Sequence, residues 1–154
     1  MVRLSDLHPE EAAHLANLPP STIAPGDWIT PKPLAESTIA LITTAGLHRR
    51  DDAPFAAGAI DYRLIPGDVD FADLVSSHVS VNWDRSALEQ DANVVLPLER
   101  LRELAAAGEI GAVARWHYSF MGGVPRPELL EPAAREVGRL LKRDGVDAVV
   151  LAPV

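Results

Sequence analysis

The 154-residue chain contains no cysteine, so neither a disulfide framework nor a thiolate metal site can be built from these residues. Positive charge is also scarce: 14 Lys and Arg stand against 22 Asp and Glu, a formal net charge of -8. Phosphate backbones and anionic membranes are met by clustered Lys and Arg, so neither is an expected partner. The densest basic cluster, His48-Arg49-Arg50, is followed at once by Asp51-Asp52. Long apolar runs are missing. The start, Met1-Val2-Arg3-Leu4-Ser5-Asp6-Leu7-His8, carries no apolar core of a secretory signal, and no later run approaches membrane-spanning length. A soluble cytoplasmic protein is the simplest expectation. There is no solenoid-period repeat, low-complexity tract, G-x-S-x-G elbow, P-loop or G-x-G-x-x-G turn.

What is present is a 47% hydrophobic composition, enough for one domain with a genuine core and too little for two comfortable ones. Pro9-Glu10-Glu11 predicts the first turn of a short helix with Leu15 and Leu18 as its apolar face. Pro19 and Pro20 end it. The prolines up to Pro33 then predict an extended arm anchored by Ile23, Trp28 and Ile29. Residues 1–36 thus read as a helix and arm, and 37–154 as the α/β domain.

That domain opens on a strong strand signal, Thr38-Ile39-Ala40-Leu41-Ile42, which runs into Thr43-Thr44-Ala45-Gly46. Residues 54–58 read as a loop, 61–66 as a half-exposed strand, 70–75 as a helical turn and 76–84 as a strand-like run. A helix is predicted over 91–104, with Leu98, Leu101 and Leu104 on one face, prolonged by alanines and stopped by Gly108. Its charges, Glu99, Arg100, Arg102 and Glu103, read as a solvated face. A short buried piece at 110–114 precedes the aromatic, histidine and glycine cluster 115–123, whose aromatics read as core plugs. An amphipathic helix over 131–143 faces Val137, Leu140 and Leu141 inward. Gly145 then hands the chain to a run at 146–151 that reads as a buried parallel strand. The order of elements predicts an α/β layered sandwich with a largely parallel sheet. Ligands bind at the carboxyl ends of such strands. The last strand lacks a following crossover, so either it is the final one of a small domain, or the chain is a fragment of a longer product and the domain is incomplete at its C-terminus.

Several residues could carry chemistry. Thr43, Thr44 and Gly46 at a strand exit can present hydroxyls and backbone N–H groups to an anionic or carbonyl group; equally, the threonines can bond their own backbone. His78, between serines, is either a structural hydrogen-bond hub or a proton donor. His48, His78 and His117 each follow an expected strand end and could converge on a divalent metal, but their spacing matches no standard metal motif and no metal site is assigned. Lys32 and Lys142 fall in the arm and on a charged helix, where neither reads as buried.

Three stretches together, 39–48 (IALITTAGLH), 91–104 (DANVVLPLERLREL) with Gly108 to Gly111, and 117–123 (HYSFMGG), resemble the selenoprotein B subunits of the glycine, sarcosine, betaine and D-proline reductases. Ser77-His78 and the terminal DGVDAVVLAPV fit the same pattern. The resemblance implies a selenocysteine, or a cysteine, immediately after the strand that ends the chain. The 154 residues are then expected to be a truncated reading of a longer gene and inactive alone. It further implies reductive cleavage of a C–N bond in a small amine or amino-acid-like substrate. No cofactor is expected in this chain, and a pyruvoyl group is expected on a partner reductase subunit. Thr43, Thr44, Gly46, His78 and His117 are carried over as candidates to line the pocket. A truncated form is expected to leave Val149, Val150 and Leu151 partly exposed and to associate, so an oligomer is compatible with this reading. The alternative is a cysteine-free paralogue that binds a small ligand or scaffolds a complex. A metal hydrolase using the histidines ranks last.

Overall fold

The run Thr38–Thr43 forms β1, the axis of the structure. In a strand successive side chains point to opposite faces, and here both faces are covered. Ile39 and Leu41 enter a core with Leu96, Leu98, Leu101 and Ile110, whereas Ala40 and Ile42 enter a second core with Tyr118, Phe120, Val137 and Leu141. A strand buried on both sides needs a near-continuous apolar sequence, and TIALIT supplies one.

The computed structural model describes residues 3–17, 26, 29–80, 83, 85–124 and 126–154. After β1 come β2 (Leu47–Arg49), β3 (Tyr62–Pro66), β4 (Leu74–Ser76), β5 (Ala112–Val113), β6 (Trp116–Phe120) and β7 (Ala148–Ala152). The helices are α1 (Pro9–Ala16), α2 (Ser86–Gln90), α3 (Leu98–Ala106) and α4 (Glu131–Arg143). β1 pairs in parallel with β5, β6 and β7, and β3 pairs antiparallel with β6. Ile39 has both Val113 and Ala148 as partners, and Ile42 has both Tyr118 and Leu151. β5 and β6 therefore share one flank of β1, and β7 occupies the other. The result is a mixed α/β fold around a mostly parallel five-stranded sheet, with α3 packed in the first core and α4 in the second. A separate antiparallel ribbon joins β2 to β4.

The 131–143 helix and its inward residues match the expectation, and Gly108 and Gly145, both at positive φ, follow α3 and α4 where the chain must leave the helix. The central helix is shorter than its sequence pattern. Pro97 has no N–H to place inside a helix, so α3 begins at Leu98. Upstream of it, Asp91 caps a separate 3₁₀ turn by accepting the Asn93 N–H at 2.9 Å, and the Asn93 side-chain oxygen caps the Glu99 N–H at 3.1 Å. Arg102 is not on a purely solvated face, because its guanidinium donates to the carbonyls of Gly67 and Val69 at 2.8 and 3.0 Å. Lys32 is exposed but not free: it pairs with Asp147 at 2.6 Å, and Asp147 also accepts the Thr38 N–H at 3.0 Å, tying the arm to the start of β1 and β7.

Other expectations are corrected. β7 is parallel, as its sequence implied, but it is an edge strand with Val150 43% and Leu151 68% exposed, because only β1 pairs with it among the described residues. Val149 is half-buried against the α4 core. The strand-like run from Ser76 leaves the ribbon at that residue, and Val81, Asn82 and Asp84 lie outside the described residues. The 70–75 turn is a 3₁₀ turn over Phe71–Asp73 that leads straight into β4. α2 and the β2–β4 ribbon had no clear periodic signal. Ile29 does not anchor the arm, being 78% exposed; Ile23, Trp28 and Leu18 lie outside the described residues. α1 buries none of its residues. No helix among the described residues is long and apolar enough to cross a membrane.

Leu98 is fully buried where α3 meets β1. Leu98→Ala is expected to destabilise the fold by about 3 kcal/mol through lost burial and the cavity left behind. A urea unfolding midpoint within error of the parent would contradict this packing.

Candidate functional site

The carboxyl ends of β1, β6 and β7 meet the segment after β4, and two glycines make the meeting close. Gly46, at φ +61°, donates its N–H to the Phe120 carbonyl at 2.9 Å and accepts the Ser77 N–H at 3.0 Å. A Cβ there would lie 2.9 Å from the His78 nitrogen, so only glycine fits. Gly122, at φ +71°, is packed tighter still: a Cβ would meet the Thr44 carbonyl oxygen at 2.5 Å and His78 Nε2 at 3.0 Å.

The two threonines divide the alternatives that the sequence left open. The Thr43 hydroxyl accepts the Ala45 N–H at 3.1 Å, so this buried residue serves its own backbone. Thr44 instead faces β7. Its N–H continues the ladder to the Ala152 carbonyl at 3.2 Å, and its hydroxyl accepts the Val154 N–H at 2.9 Å while lying 3.4 Å from the Val154 carbonyl oxygen. Thr44 also lines an apolar cavity of about 290 Å³ with Ile42, Phe120, Val137, Leu141 and Leu151.

His78 is buried at this rim. Its Nδ1 accepts the Ser80 N–H at 3.2 Å, so in the neutral ring Nε2 carries the hydrogen, and that nitrogen has no hydrogen-bond partner. The ring meets Trp83 edge-on at 4.9 Å, and Arg85 donates to the His78 carbonyl. Burial first, and the Arg85 charge second, push the imidazole pKa down and keep it neutral at physiological pH.

Thr43, Thr44, Gly46 and His78 are thus brought together, while His117 is not among them. Rather than following a strand end, it lies within β6, fully buried, where its Nδ1 accepts the Leu41 N–H at 2.9 Å. Between the Ile39–Val113 and Ile42–Tyr118 pairs the β5–β6 flank carries two more residues than β1. The flank bulges there, and the imidazole supplies the acceptor that a regular ladder would provide. Burial, then the Arg102 charge, lowers the His117 pKa to about 4. His48 sits inside β2, between the Arg49 carbonyl at 2.7 Å and the Ser77 hydroxyl at 2.6 Å. A carbonyl only accepts, so the neutral ring donates from Nδ1 and accepts the Ser77 hydroxyl at Nε2. The three histidines do not converge, and no group of three His, Asp or Glu among the described residues could hold a metal ion. Gly122 is the rim residue missing from the sequence-derived set, and the adjacent glycines of HYSFMGG are the signal that could have found it, since paired glycines permit a close backbone approach.

The structure thus defines a mixed α/β protein with a mostly parallel sheet, in which strand exits, two glycines and a buried imidazole meet at one rim. Residues 20–154 match the family model of the glycine/sarcosine/betaine reductase selenoprotein B, and the chain belongs to that family. It is 38% identical over 122 residues to the D-proline reductase subunit gamma of Acetoanaerobium sticklandii, covering 78% of this chain and 50% of that protein. It is 31% identical over 124 residues to the betaine reductase complex component B subunit beta of Peptoclostridium acidaminophilum, covering 78% and 28%. With the glycine reductase complex component B subunit gamma of Carboxydothermus hydrogenoformans it shares 29% identity over 133 residues, covering 81% and 31%. The chain thus spans half the length of the first relative and about a third or less of the other two. No solved structure matches it.

His117 gives the fold a defined pH response. An unfolded histidine protonates near its ordinary value of 6.5, whereas the folded one does so near 4. The unfolded chain therefore binds more protons in between, and stability is fully present above pH 6.5 and falls as pH drops towards 4, by about 3 kcal/mol in all. His117→Asn, which keeps an acceptor at the δ position but does not titrate, is expected to flatten this fall in urea midpoints measured from pH 7 to 4. An unchanged slope would remove His117 as its source.

Proposed function

We propose that this chain is the rim-bearing part of a selenoprotein B-type reductase subunit. Its reaction is the reductive cleavage of a C–N bond in a small amine or amino-acid-like substrate, of the glycine, sarcosine, betaine or D-proline kind named by its relatives. The family match over residues 20–154 carries this reading. The redox side chain, selenocysteine or cysteine, comes directly after Val154, and the 154 residues alone are inactive because they contain no cysteine. A selenolate or thiolate at a strand's carboxyl end can act as a nucleophile while neighbouring groups orient the substrate.

The residues present fit such a side chain. Thr44 engages the Val154 backbone and so fixes where the chain leaves β7. An unpartnered donor, His78 Nε2, lies at the same rim. The activating carbonyl of a pyruvoyl group belongs to a partner subunit, and this chain's share is to hold and orient what lies between them.

The test is to read the codon after that of Val154 and to express the whole frame together with its partner subunit. A UGA or cysteine codon in an open frame, with C–N cleavage (amine release from an acyclic substrate, ring opening of D-proline) that needs a thiol reductant and is absent for the 154-residue form, is expected. A different residue there, with no selenocysteine or cysteine in the remainder, would sink the redox reading in favour of a ligand-binding role.

A further inference from the structure

The β2–β4 ribbon and the short α2 line a cavity of about 480 Å³, distinct from the apolar one beside Thr44. Its floor is the outer surface of the first core: Leu47 is fully buried, and Phe71, Leu74 and Leu88 pack half-buried against that core. A volume of this order is typical of small-molecule sites, which pair an apolar lining with a few placed polar groups. Here two arginines, Arg50 and Arg85, stand beside the apolar floor.

Both guanidiniums are held in place, and neither is neutralised. Arg50 donates from Nε and Nη2 to the Ala72 carbonyl at 3.2 and 3.1 Å, and its backbone N–H donates to the Asp73 carbonyl at 2.9 Å. Arg85 donates from Nη2 to the His78 carbonyl, and its Cζ lies 5.9 Å from the centre of the Trp83 ring. A carbonyl orients a guanidinium without cancelling its charge. Among the described residues neither arginine has a carboxylate within ion-pair distance, whereas the neighbouring Arg49 pairs with Asp51 at 2.6 Å. Glu89 also lines the cavity, exposed and outside ion-pair range of both. Two cations against one carboxylate leave this wall net positive in a chain of net charge -8.

We propose that this cavity binds a small organic carboxylate, its hydrocarbon body on Leu47, Phe71, Leu74 and Leu88 and its carboxylate on the Arg50 and Arg85 guanidiniums. The guanidinium fork matches the two oxygens of a carboxylate, and a fork already oriented by carbonyls loses less freedom on binding. The apolar floor favours an anion with a hydrocarbon body over a bare one such as phosphate, because only the former removes that floor from water. The site is built from residues of this chain alone and stands independently of the reductase reading.

The probe is hexanoate, titrated into the full chain labelled with ¹⁵N, with 1-hexanol and hexylamine as controls of the same chain length. Hexanoate is expected to bind with a roughly millimolar dissociation constant and to shift the amide resonances of β2, β4 and α2. Hexanol, which lacks the charge, is expected to bind about tenfold more weakly, and hexylamine more weakly still. Arg50→Gln and Arg85→Gln are each expected to weaken hexanoate about tenfold, and Glu89→Gln to tighten it about threefold by removing the like charge. Glu89→Gln decides the matter if an arginine variant loses its dispersed spectrum, because Glu89 is exposed and only its charge is changed. Equal affinity for the three probes overturns the proposal, as does a Glu89→Gln affinity no tighter than the parent's. Shifts confined to Ala134, Gly138 and Leu151 beside the other cavity, or the absence of any saturable shift, overturn it as well.

Discussion

Everything in this chain depends on β1 being used on all four sides. Its two faces enter separate cores and its two edges are paired, so the backbone from Ile39 to Leu41 is closed off from water. A backbone N–H in such a position cannot go unmatched without a cost of a hydrogen bond's order. Where the β5–β6 flank bulges away from Leu41, a side chain has to take over, and His117 does so. Its neutrality follows from that duty. The N–H of Leu41 needs a lone pair, and a protonated ring has none to offer.

The rim is the second consequence of the same saturation. Because β6 and β7 run parallel to β1 on its two flanks, their exits emerge together with that of β1, and the chain turns away from β1 and β6 within a few residues. Gly46 and Gly122 make those turns with positive φ, and each brings backbone against His78 more closely than any side chain allows. The density of the turn, and not an electrostatic pull, is what buries the imidazole.

The sequence carried this architecture unevenly. The β1 run and the 131–143 helix were legible because both are long and strongly patterned, and in each the pattern is the burial. The start of α3 is not legible in the pattern, because the apolar spacing continues upstream of Pro97 while the missing proline N–H, a local covalent fact, decides the boundary. The ribbon strands β2 and β4 are three residues each, too short for any period to show. The histidines were the hardest. His48, His78 and His117 look alike in sequence, each beside a strand-like run, yet one bridges a carbonyl and a hydroxyl, one faces a glycine and one completes a ladder. Those fates depend on the register between strands far apart in sequence, which a local pattern does not encode. Thr43 and Thr44 make the same point at closer range. Adjacent and identical, they differ in role because one side chain points into the turn and the other towards β7.

The edge of β7 that is unpaired among the described residues is where the physics of the fold and of the site join. Edge strands are ordinarily blunted by charge, proline or a covering element, yet Ala148–Ala152 is AVVLA, with no charge at all. Charge enters only before the strand, in the Lys32–Asp147 pair at its amino end. At its carboxyl end Leu151 and Thr44 both line the apolar cavity against α4. The apolar area exposed there is removed from water only by a surface that reaches both the edge and the cavity, and burial of that kind is the dominant favourable term in association. Thr44 joins the two features, because its hydroxyl accepts the Val154 N–H at 2.9 Å while its side chain lines the cavity beside Leu151, so the end of β7 and the rim share one residue.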